Sequence, residues 1–183
     1  MNYGNLVPTI SQDLIEAVEL ILNPEIDPEI RTLNLEILLR ESGREIYEVI
    51  YAMNAYDFGV EYTTGIGIDD YYYTLAKMLS DSVSVGGHKE MIAKLEDWMY
   101  FQVDKGQFDA FKTARENGQH PTAERIEPFN CCSFCREREW GKVENPDHEM
   151  WRRHDNCRGI IKTQGWRSLN GRLSGYGWRK YRR

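Results

Sequence analysis

Cys132, Cys135, His154 and Cys157 are spaced C-x2-C, then 18 residues, then H-x2-C. Three thiolates and an imidazole in two short-spaced pairs can close a tetrahedron around Zn²⁺, with protein ligands in place of the ion's water. Four protein ligands make a closed, structural centre. A catalytic zinc keeps one position open and has a base nearby, as in H-E-x-x-H. Neither that pattern nor the deaminase pairing of H-x-E with P-C-x-x-C occurs here. No catalytic residue is therefore assigned. Cys131 and His148 are spare ligands, either of which could replace a neighbour without a gross change of spacing. Cys132 is preferred because only it leaves a two-residue spacer to Cys135, and Cys131 is read as a buried thiol. Two disulfides are the competing reading of the four cysteines. Neighbours such as Cys131 and Cys132 rarely meet disulfide geometry with each other, and a cysteine set confined to the last third suits a local metal site in a reducing compartment.

A net charge of −6 hides a division along the chain. Residues 151–183 hold Arg152, Arg153, Arg158, Lys162, Arg167, Arg172, Arg179, Lys180, Arg182 and Arg183 against the single acid Asp155, so this segment carries +9 and residues 1–150 carry −15. A basic tail on an acidic body can neutralise phosphates or dock on an acidic protein surface, a neighbouring copy included. Trp166, Tyr176, Trp178 and Tyr181 lie among these cations. They can stack on bases or pack against protein.

With 183 residues and 41% hydrophobic content, the chain can bury one sizeable core, or one core and a satellite module. No apolar run approaches the length that spans a bilayer, and MNYGNLVPTI lacks the basic start and apolar stretch of a secretory signal. The expectation is a protein made and used without Sec-type export.

Periodicity makes the body mostly helical. Leu14, Ile15, Val18, Ile21 and Leu22 recur at helical spacing after a cap at Ser11, and Asn23-Pro24 ends the run. Asp27-Pro28 reads as an N-cap followed by proline at the first helical position, with an apolar stripe of Ile30, Leu33, Ile37 and Leu38 up to Ser42-Gly43. Ile46, Val49, Ile50 and Met53 continue beyond, by a kink or a new helix. Phe58 to Ile68 reads as a loop or hairpin. Helix resumes at Asp69-Asp70 through Leu75, Ala76 and Leu79 and stops before Gly86-Gly87. Another helix carries Met91, Ile92, Leu95, Trp98 and Met99 to near Gly106, and a short one carries Phe108, Phe111 and Ala114 before Asn117-Gly118. The fold class expected is mainly α: an acidic helical body (1–119), a hinge (120–128), a small irregular or β zinc module (129–160) and a basic aromatic tail (161–183). Tyr71-Tyr72-Tyr73 reads as a half-buried helix start, His88 and His120 as solvated, and Gly65-Ile66-Gly67 lacks the rest of a dinucleotide loop.

Cys132-Ser-Phe-Cys135, then Gly141, Val143 and Pro146, then Trp151-Arg-Arg-His154-Asp-Asn-Cys157-Arg resembles the C-terminal Cys/His module of tailed-phage minor head proteins, the group related to Mu-type head morphogenesis proteins. The resemblance covers about Phe108 to the C-terminus. Many members read C-x-C after the histidine, where this chain has Gly159 in place of the second cysteine. The resemblance implies a low-copy virion protein made in the host cytoplasm, incorporated with the portal and associated with the head interior, the major capsid protein or packaged DNA. The Arg-rich tail would make sequence-independent contacts, with self-association as a further outcome. Two other readings come from other classes. One is a zinc-stabilised nucleic-acid-binding regulator. The other is a small HNH-like nuclease, prompted by His154-Asp155-Asn156, for which only His148 is on hand as a second histidine.

Overall fold

The computed structural model describes residues 6–61, 71–126, 133–137, 140–143 and 160–164. These are mainly helical: α1 (Leu6–Ile21), α2 (Pro28–Phe58), α3 (Tyr71–Val85) and α4 (His88–Glu116) precede β1 (Thr122–Ile126), a short α5 (Ser133–Arg136), β2 (Trp140–Val143) and β3 (Ile160–Gln164). No helix among the described residues is long and apolar enough to cross a membrane.

The chain divides into two compact units. One comprises residues 1–48 and 65–103, the other residues 49–64 and 104–183, so the boundary falls inside α2 and inside α4. In the first unit the core is built from Leu14, Val18 and Leu22, from Leu35, Leu39 and Ile46 of α2, from Leu75 and Leu79 of α3, and from Leu95, Trp98 and Met99 of α4. In the second, Tyr51, Ala55 and Phe58 are buried with Ala110, Phe111 and Ala114. Phe58 and Phe111 meet edge to face at 5.9 Å, and the Tyr51 hydroxyl bonds Thr113 Oγ1 at 3.1 Å.

Several boundaries follow local chemistry. Asp27 caps α2 by accepting from the backbone N–H of Glu29 (2.9 Å) and Ile30 (3.3 Å), while Pro28 needs no donor at that position. Gly59 and Gly118 end α2 and α4 in the left-handed region, with φ of 75° and 77°. At each end two bonds close the helix: Val60 N–H to Ala55 O with Gly59 N–H to Tyr56 O, and Gln119 N–H to Ala114 O with Gly118 N–H to Arg115 O. This is the paired closure that glycine permits at a helix C-terminus.

Three features of the helices differ from the sequence expectation. α1 begins at Leu6 and not after Ser11, because Pro8 falls in the first turn, where no backbone N–H has an intrahelical acceptor to lose. α2 and α4 run unbroken through Gly43 and Gly106. A helical glycine costs about 1 kcal/mol, less than is gained by burying the flanking side chains, here Leu39, Ile46 and Tyr47, and Val103, Ala110 and Phe111.

The third difference is the face of α2 that is buried. Ile30, Leu33 and Ile37 are 55%, 55% and 44% exposed, whereas Arg31, Leu35 and Leu39 are buried. Arg31 belongs to the inward face because its guanidinium clasps two backbone carbonyls, donating from Nη1 to Ser80 O (3.2 Å) and from Nη2 to Ile26 O (2.9 Å). Ser80 Oγ in turn donates to Pro28 O at 3.2 Å, so the start of α2 and the middle of α3 are tied by both side chains.

Within the second unit the strands form one antiparallel sheet in the order β2-β1-β3. β1 lies in the segment expected as a hinge, and β3, which contains Lys162, lies after Cys157, where the spaced glycines favour short strands or an extended arm over a long helix. Of the run Tyr71-Tyr72-Tyr73, which starts α3, Tyr71 and Tyr73 are exposed and Tyr72 is half-buried.

Candidate metal centre

The sheet register decides where chain segments carrying the candidate ligands begin and end. β1 pairs with β3 from Thr122↔Gln164 to Ile126↔Ile160, and with β2 at Ala123↔Val143 and Arg125↔Trp140. The last residue of β1 and the first residues of β2 and β3 therefore stand at one end of the sheet. In that register one residue of β1, Glu124, is matched to two of β2, Gly141 and Lys142, a bulge that bends this edge strand.

Every candidate ligand is joined to that end by a short piece of chain. Cys132 follows Ile126 by six residues and Cys135 precedes Trp140 by five; His154 and Cys157 precede Ile160 by six and by three. Three residues span at most about 10 Å and six about 20 Å. β2 and β3 flank β1, so their starting residues are separated by about two strand spacings, roughly 10 Å. These tethers allow both pairs to reach a common point, which a topology with the loops at opposite ends of the sheet would have opposed.

Cys135 lies in α5, a single turn closed by Glu137 N–H to Ser133 O at 2.9 Å. A turn in this position is compatible with a C-x2-C pair. Cys131, Cys132, His148, His154 and Cys157 lie outside the described residues, as do all the tail cations except Lys162. Among the described residues no three His, Cys, Asp or Glu come together as a metal-holding group. His120, read as solvated, is exposed.

Sequence reasoning missed the polar groups buried in the first unit. Trp98 and Gln102 stand one turn apart on α4; Trp98 Nε1 and both amide atoms of Gln102 are buried without a hydrogen-bond partner among the described residues, as is Arg31 Nε. Such groups cost free energy. Gln102 sits among apolar periodicity and carries no motif, so nothing in the sequence marks it. The chain has no match among protein-family models, curated proteins or solved structures.

Proposed function

We propose that this chain is a non-enzymatic structural component of a tailed-phage head, in which Cys132, Cys135, His154 and Cys157 hold one Zn²⁺. Its Arg-rich C-terminal segment would engage the portal, the capsid or packaged DNA. The observation that carries the reading is the attachment of both ligand pairs to one end of the β2-β1-β3 sheet, joined to the opposite charges of body and tail. Thiolate and imidazole donors suit zinc, and a sheet of 4-residue and 5-residue strands needs such an anchor because it can bury little apolar surface of its own. Zinc bound there would supply folding energy, and the ligands leave no open position for chemistry. The resemblance of Cys132-Ser-Phe-Cys135 and Arg153-His154-Asp-Asn-Cys157 to the phage module gives the virion context.

A zinc-stabilised regulator is the second reading, favoured by the aromatic residues interleaved with the tail's arginines. Selection of duplexes from a random-sequence pool by the full chain separates the two. A virion component retains duplexes without enriching any motif, and its binding falls steeply with salt, by about 10³-fold or more between 50 and 200 mM if some six phosphates are neutralised. Enrichment of one motif would support a regulator and overturn the structural reading. Cleavage of plasmid with added Mg²⁺, abolished by His154→Ala or His148→Ala, would instead establish a nuclease.

A further inference from the structure

The exposed face of α2 has the character of an interface. Ile30, Leu33 and Ile37 recur at helical spacing and are about half exposed, forming an apolar row on a helix whose opposite face is already buried. Exposed Glu29 flanks the row, and Glu41 continues it one turn beyond Ile37, with Arg40 paired to Glu41 at 3.2 Å. Contiguous apolar residues rimmed by charge mark a protein contact more often than a scattered surface.

Charge restricts what can cover this row. The unit that contains it, residues 1–48 and 65–103, holds 16 acids against 6 Lys or Arg, a net charge of −10. The other unit holds 13 acids against 17 Lys or Arg, a net charge of +4, owing to the tail. Pairing two α2 faces symmetrically would bring two strongly acidic units together, and nucleic acid would meet the same repulsion. The tail has what the row lacks: Trp166, Tyr176, Trp178 and Tyr181 to cover apolar side chains, and arginines for the surrounding carboxylates. Residues 165–183, fully extended, would reach about 60 Å, which is ample to cross to a neighbouring molecule.

We infer that the Ile30–Leu33–Ile37 face of α2 binds the basic aromatic C-terminal segment of a second copy of this chain, so that copies join head to tail. The contact is heterologous: each copy offers one acidic apolar face and one basic aromatic segment, and an open chain or a ring can follow. The inference rests on reading the C-terminal segment as a protein-docking element and is independent of the zinc centre.

The test is complementation in solution, by sedimentation velocity on nucleic-acid-free full-length protein. Wild type should associate in a concentration-dependent manner that weakens with salt. Leu33→Asp removes the face, and replacement of Arg179, Lys180, Arg182 and Arg183 by Gln weakens the segment; each variant alone should be monomeric. Mixed, they should form a dimer and nothing larger, because the tail of the Leu33→Asp copy still fits the intact face of the other. Leu33 is exposed, so circular dichroism should show both variants folded. A monomeric wild type overturns the inference, as does association that survives in either variant alone or a mixture that stays monomeric. Zinc content measured on the same samples separates the two proposals: association without zinc removes the metal centre and keeps this interface, and zinc without association does the reverse.

Discussion

Cys135→Ser should melt the C-terminal sheet and leave the helices of the first unit folded. The strands are short, Ile126, Trp140 and Ile160 stand at one end, and all four candidate ligands are joined to that end by six residues or fewer. A structural zinc contributes on the order of 10–16 kcal/mol of apparent binding free energy in small zinc-folded peptides, more than a three-stranded sheet of this size can gain from burial. Loss of one thiolate should therefore forfeit most of what holds the sheet. Hydrogen exchange measures this directly: backbone amides of β1, β2 and β3 should lose protection in the variant. Those of α1, α3 and the first half of α2 should keep theirs, because Leu14, Val18, Leu35, Leu39, Leu75 and Leu79 are buried in a unit that contains no candidate ligand. Protection of the strands unchanged from wild type would mean that Cys135 is not a ligand.

The second large effect separates two leucines two residues apart. Leu35 is fully buried, and Leu35→Ala should destabilise the first unit by about 2–5 kcal/mol, the sum of lost transfer energy and a residual cavity. Leu33 is 55% exposed. Leu33→Ala in the monomer should change stability by about 0.5 kcal/mol or less. Urea unfolding followed by circular dichroism at low protein concentration reads both, and similar losses for the two would mean that α2 also buries the Ile30–Leu33–Ile37 stripe its sequence suggested. The same contrast underlies the proposed interface, since an apolar row that adds little to the stability of the monomer is free to bind.

Where a residue acts on its own backbone, the sequence was easy to read. The cap at Asp27, the stop at Gly86 and the stop at Gly118 needed no knowledge of what packs nearby, and the structure has all three. Gly106 was misjudged for the complementary reason, and at Gly43 the same α2 continues where a new helix was one alternative. A break is a local preference of about 1 kcal/mol, and side chains from elsewhere in the unit overrode it. The buried face of α2 was hidden because the helix has apolar residues on two faces, and an arginine sits on the inner one. Only the carbonyls of Ile26 and Ser80, far apart in sequence, make Arg31 an inward residue. The spacing of the candidate ligands was legible because metal chemistry would restrict it, whereas the sheet that the segments carrying them flank depends on pairing across up to 42 residues, from Thr122 to Gln164.

The most direct test of the central claim is elemental analysis of zinc in reduced protein purified without chelator, for wild type and Cys132→Ser. A closed four-ligand centre predicts one zinc per wild-type chain and a clear loss on substitution. A freshly purified wild type with no zinc, or a Cys132→Ser protein that retains a full equivalent, would contradict it.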